Sequence, residues 1–153
     1  MQDISIYFSP IDNSHGFEPN EYSKANQSIG KRIETHTSNG FPELEKGSIA
    51  LMYVPEFRNS TYTDVLNEKF RNHFYSLFEG AEWKSKLYDL GNILPGERVE
   101  DTYFALSQVV FELVKNQITP IIIGGSQDLT IAIYKGYEKL EQLVNLCTVD
   151  SKL

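Results

Sequence analysis

Three short apolar runs, each followed by a stretch of helical periodicity, constrain this chain more than any other feature. Ile49 to Val54 in "GSIALMYVPE" is nearly unbroken in its apolar character and is bounded by Gly47 and Pro55. Such a run suits a strand buried on both faces, as in a parallel sheet. "TYTDVLNEKFRNHFYSLFEG" follows, with Leu66, Phe70, Phe74 and Leu77 spaced four, four and three apart. That spacing predicts a helix capped by Thr61 or Thr63, ended by Gly80, and buried along those four residues. "SKLYDLGNI" reads as a second strand. In "VEDTYFALSQVVFELVKNQ", Tyr103, Leu106, Val110, Leu113 and Gln117 share one helical face until Pro120 stops it. "IIIGG" reads as a third buried strand, "DLTIAIYKGYEKLEQL" as a helix, and "VNLCTVD" as a fourth strand. The order β-α-β-α-β-α-β predicts an α/β fold, a three-layer α/β/α arrangement around a mainly parallel sheet with right-handed crossovers.

Residues 1–46 lack this regularity. "ISIYFSPID" reads as a short strand, "PNEYSKANQSIGKRIETH" as a polar helix, and "NSHGFEPN" and "HTSNGFPE" as turns. The region is expected to be an N-terminal extension wrapped on a domain that occupies residues 47–153.

Composition narrows the function classes. The chain has 153 residues, enough for one domain, and a formal net charge of -7 from 21 acidic and 14 basic residues. A phosphate backbone is repelled by that charge, so no nucleic-acid partner is expected. No apolar run is long enough to span a bilayer, so no membrane partner is expected either. The N-terminus shows no basic segment followed by an apolar core, which argues against a signal peptide and for a cytoplasmic protein. The sequons "NQS" at 26 and "NST" at 59 are then chance matches. Cys147, the single cysteine, lies in the apolar run "VNLCTV" and is expected to be a buried, inert thiol. His15, His36 and His73 form no metal-binding spacing; His73 is expected to be packed, and the other two solvated.

Ligands of open α/β sheets bind beyond the carboxyl ends of the strands. That rule selects Pro55–Arg58, Asp89–Asn92, Gly124–Asp128 and Asp150–Lys152. Glu56 and Arg58 are explained by a surface ion pair, and Asp89 and Asn92 by turn chemistry. The turn Gly124, Gly125, Ser126, Gln127 and Asp128 is the candidate ligand site. Two glycines allow a sharp turn and a close approach, Ser126 can cap the next helix, and Asp128 complements its dipole. Neither a Gly-Lys-Ser/Thr phosphate loop nor a Gly-x-Gly-x-x-Gly pattern is present, and Asp128 repels phosphate.

"PIIIGGSQDLT" and "VNLCTVDSKL" resemble two motifs of the arginase/agmatinase/formiminoglutamase family, the ureohydrolases. In that family one strand ends in Gly-Gly-Asp-His-Ser and the next in Asp-Ala-His-x-Asp. "ALMYVPEFRN" and "YDLGNI" resemble its first two strands, so the likeness spans about two thirds of the chain. It implies that residues 47–153 are the N-terminal half of an arginase-like domain, a fragment of a longer protein. It also implies a dimanganese centre that activates water against guanidino or formimino groups. The ligand positions depart from that pattern. Ser126 stands where the family has aspartate and Gln127 where it has a metal-binding histidine; Asp150 matches an aspartate, and Lys152 replaces a histidine. An ammonium has no lone pair and adds charge where a dication would sit. No catalytic residue, metal ligand or cofactor is therefore expected. The reading is a non-catalytic ureohydrolase relative with a binding or assembly role, in which the Lys152 charge substitutes for the metal beside Asp150. The alternative is an active manganese hydrolase of a guanidino or formimino substrate, with Asp128 as a shifted ligand and the site completed beyond this chain. A third reading is an unrelated α/β module for a small ligand or of response-regulator type. In the family, later strands separate the third from the fourth, so an open strand edge and a homo-oligomer are also expected.

Overall fold

The computed structural model describes residues 2–11, 27–61, 70–78, 80 and 84–149. His15, Asn26, Thr63, Leu66, Asp150 and Lys152, with residues 19–26 of the expected N-terminal polar helix, lie outside the described residues; of the rest of that helix only Ile29–Arg32 is helical, and Glu34–Thr35 is a strand.

The fold is α/β, built on a mixed, mostly parallel sheet of five strands. In chain order these are β1 (Phe8–Ser9), β2 (Glu34–Thr35), β3 (Ile49–Tyr53), β4 (Leu87–Ile93) and β5 (Thr119–Ile123). The helices are α1 (Ile29–Arg32), α2 (Phe70–Tyr75), α3 (Val99–Lys115) and α4 (Leu129–Glu138). β3 pairs in parallel with β4 on one side and with β5 on the other. The outer edge of β4 is shared: β2 lies parallel to Tyr88 and Asp89, and β1 runs antiparallel to Asn92 and Ile93. The described part of residues 1–46 thus supplies two strands of the same sheet.

Strand alternation feeds two apolar clusters. Ala50, Met52, Val54, Tyr88 and Leu90 pack with Leu106, Val110 and Leu113 of α3 and with Leu129 and Ala132 of α4. Ile49 and Leu87 join Ile29, Ile33, Phe74 and Tyr75 in the second cluster, with α1 and α2. Fully burying one such aliphatic side chain contributes about 1.5–3 kcal/mol. The α3 pattern matches the expected face: Leu106, Val110 and Leu113 are buried, while Gln117 lies past the helix end at φ +61°.

α2 departs from its expected face. Its buried residues are Arg71 and Tyr75, Phe70 and Phe74 are half-buried, and Leu77 is exposed. The cause is a buried ion pair. Arg71 Nε donates to Asp89 Oδ2 at 2.7 Å and Nη2 to Asp89 Oδ1 at 3.0 Å. Arg71 also donates to Asn92 Oδ1 at 2.8 Å and to the Gly91 carbonyl at 3.1 Å. Tyr75 Oη adds a 2.9 Å bond to Asp89 Oδ2, and burial together with the nearby Asp89 charge pushes the phenol pKa up. Asp89 and Asn92 are therefore partners of an arginine from another element, which turn chemistry alone does not describe.

His73, expected to be packed, is exposed because the helix turns its Arg71 side inward. His36, expected to be solvated, is buried, with Nδ1 2.9 Å from the Leu90 carbonyl and its ring against Phe41. The third strand is less buried than expected. β5 lies at the sheet edge, and Ile121 is partly exposed. Thr119 N–H bonds Ser48 O and Val54 N–H bonds Ile123 O, so odd-numbered residues face β3 while Pro120 and Ile122 turn their backbone outward. Residues 143–149 do not form the expected fourth strand. They carry no regular structure, and Leu143, Leu146 and Val149 are exposed. Cys147 is accordingly exposed as well.

Removing one member of the buried pair leaves the other charged and unpaired. Arg71→Met is expected to lose about 3–5 kcal/mol of stability in equilibrium urea unfolding. Tyr75→Phe, which removes the hydrogen bond to the charged Asp89, is expected to lose about 1.5–3 kcal/mol.

Candidate functional site

β3 sits between the two strands that follow it in sequence, so the chain reverses its direction of winding where β3 and β5 adjoin. The carboxyl ends of such a pair form the crevice where open α/β sheets place ligands. Three segments meet there: residues 54–61 after β3, the first turn of α3, and the Gly124–Asp128 turn after β5.

The glycine pair is required by geometry. Gly124 and Gly125 have φ of +85° and +84°, the left-handed region. A Cβ on Gly124 would lie 2.3 Å from the Tyr53 ring, and one on Gly125 would lie 2.0 Å from Leu129 Cδ1 and 3.0 Å from the Val54 carbonyl. The double turn lets Ser126 reach back to β3. Its N–H donates to the Glu56 carbonyl at 2.8 Å and its hydroxyl to the same oxygen at 3.3 Å. Ser126 is therefore not the side-chain cap expected of it. Asp128 holds the N-cap position of α4 without a side-chain cap bond.

Asp128 turns toward α3 and the β3 loop. Tyr103 Oη donates to Asp128 Oδ2, and Asn59 Nδ2 donates to the same oxygen at 2.7 Å. Asn59 Nδ2 also lies 3.1 Å from Tyr103 Oη. Burial acts to raise the Asp128 pKa, but the Ser126, Tyr103 and Asn59 groups outweigh it and hold the carboxyl below its ordinary value. The Tyr103 phenol is pushed up by burial and by Asp128, so it stays a protonated donor. Gln127 is exposed at the apex of the turn.

Beside this cluster Glu56 and Arg58 pair as expected, but not at the surface on both sides. Glu56 is fully buried and accepts from Arg58 Nε at 2.9 Å and from Thr102 Oγ1 at 2.9 Å. Arg58 continues to the carbonyls of Glu97 at 2.8 Å and Gly96 at 3.1 Å, so it ties the β3 loop to the β4 loop. The Arg58 guanidinium holds the Glu56 carboxyl below the usual glutamate range, against the opposing effect of burial.

The structure thus brings Gly124, Gly125, Ser126 and Asp128 together with Glu56 and Arg58 at one crevice. Asp89 and Asn92 belong to the separate Arg71 network, and Asp150 and Lys152 lie outside the described residues. Asn59, Thr102 and Tyr103 were not singled out as site residues. Tyr103 carried only its place on the α3 face, and nothing in the sequence joins it to positions 44 and 25 residues away. No protein-family model matches the chain, and none of the curated proteins matches it.

A group whose pKa is lowered in the folded state contributes stability above its unfolded value, and that stability is lost as pH falls through the folded value. Glu56, with an ordinary value near 4.5, falls in this class. Glu56→Gln should lower stability at pH 7 and flatten the acid side of the stability profile below pH 4.5. Thermal unfolding from pH 7 to pH 3, compared with the parent chain, measures both effects.

Proposed function

We propose that this chain is a ureohydrolase-like α/β scaffold that has lost the dimanganese site and serves a binding or assembly role. The observation that carries this reading is the setting of Asp128. It is the one carboxylate of the Gly124–Asp128 turn: its Oδ2 is engaged by Tyr103 and Asn59, its buried Oδ1 is the single oxygen left over, and no second carboxylate or imidazole of the turn stands beside it.

The donor chemistry around it agrees. Manganese takes anionic oxygen and imidazole ligands. Here the Ser126 hydroxyl is spent on the Glu56 carbonyl, and Gln127 offers only a neutral amide. These residues do not fit a dimanganese centre, and no hydrolytic step is assigned to them. The arginase-like arrangement is supported by the outer edge of β5, which pairs with no strand among the described residues, and by the lack of a strand over residues 143–149, since the family sets later strands between its third and fourth.

The function that follows is recognition through the crevice or through the sheet edge, without turnover. Among the described residues no helix is long and apolar enough to cross a membrane. Elemental analysis after incubation with manganese and gel filtration is expected to find no stoichiometric metal. Urea or formamide release from arginine, agmatine and formiminoglutamate is expected to stay at the buffer rate. Retention of two manganese ions per chain, or substrate-dependent release, overturns the reading in favour of a metal-dependent hydrolase.

A further inference from the structure

Next to the glycine turn, the loops leaving β3 and β4 border a cleft of about 340 Å³ lined by Pro55, Glu56, Phe57, Arg58 and Pro95. Its walls are mainly apolar, and its one exposed charged side chain is Arg58, 41% accessible. The donors of a guanidinium all lie in its plane. In Arg58 that rim is engaged: Nε and Nη2 hold the Glu56 carboxylate, Nη1 the Glu97 carbonyl, and Nη2 also the Gly96 carbonyl. What the protein leaves without a hydrogen bond is one Nη1 N–H, the flat face of the cation and its stem. A guanidinium face attracts the negative face of an aromatic ring, and it does so while its rim is hydrogen-bonded elsewhere.

We propose that this open cleft binds a small molecule through a planar aromatic ring stacked on the Arg58 guanidinium, with Phe57, Pro55 and Pro95 bordering it. The other ligand chemistries fit less well. A carboxylate or phosphate binds a guanidinium best through two parallel N–H groups, and four of the five are held by the protein, leaving one on Nη1. A cation meets Glu56 only after that carboxylate leaves Arg58 and Thr102. A saturated ring fills the volume but gains nothing from the cation face. The volume lies at the small end of ligand pockets, which suits one ring or two fused rings. The inference rests on the β3 and β4 loops alone and is independent of the ureohydrolase reading, so either can fail without the other.

The test is a ¹H–¹⁵N NMR titration of the whole 153-residue chain with benzyl alcohol, against cyclohexylmethanol as its saturated counterpart. Benzyl alcohol is expected to give saturable upfield ring-current shifts at Arg58 Nε–H and at the amides of residues 56–58, and the saturated alcohol none. Arg58→Lys keeps the charge but removes the planar face, and should bind benzyl alcohol roughly fivefold more weakly. If that variant does not fold, Phe57→Leu serves in its place, with weakened binding expected and the other loop contacts retained. Equal affinity for the two alcohols, shifts scattered away from the cleft, or no saturable shift overturns the proposal.

Discussion

The arrangement of this fold depends on the ion pair between Arg71 and Asp89. Both side chains are fully buried, and desolvating two charges is costly unless every polar edge is satisfied. Here the edges are nearly all accounted for: the carboxylate accepts from Arg71, Tyr75 and the Gly91 N–H, and the guanidinium reaches Asn92 and the Gly91 carbonyl. The backbone of Asp89 extends the same junction, since its carbonyl accepts from the His36 N–H at 2.8 Å. One residue of β4 thereby fixes the rotation of α2 about its axis and the position of the N-terminal β2. A hydrophobic residue at 89 would keep the backbone bond to His36 but leave the rotation of α2 undefined.

The legible part of the sequence was the part governed by periodicity. β3, β4, α3, β5 and α4 appear where unbroken apolar runs and a 3.6-residue repeat place them, and the α/β class follows from their alternation. What the periodicity hid was polar burial. Arg71 reads as a solvent-facing residue between Phe70 and Phe74, so the apolar spacing put the buried face of α2 about one residue out of phase. His36 was misread for a similar reason: its partner is a backbone carbonyl on β4, 54 positions away, and no local signal marks it. Residues 143–149 illustrate the opposite error. Their β-like composition is real, but a strand needs an edge to pair with, and this segment pairs with none of the five strands.

The candidate site was legible as a place more than as a chemistry. The rule that ligands gather beyond the carboxyl ends of strands selected both Glu56–Arg58 and Gly124–Asp128, and these do converge. Their roles came out differently. Ser126 closes a backbone junction with Glu56, and Asp128 is held by Asn59 and Tyr103 from two other segments. The same crevice therefore contains two neighbouring environments: a hydrogen-bonded cluster around Asp128 and a mainly apolar open cleft bordered by Arg58.

The outward register of Pro120 has a consequence for the solubility of the chain. An open strand edge invites another chain to add to it and repeat the addition, which is how ordered aggregates grow. On β5 the outward positions are Pro120 and Ile122, and proline brings no N–H. An incoming strand finds the Ile122 donor flanked by a proline on one side and a left-handed glycine turn on the other. The edge can accept one short pairing, but it is a poor template for a continuous ladder. A single ring closure in the backbone thus limits fibrillar growth at the exposed side of this sheet.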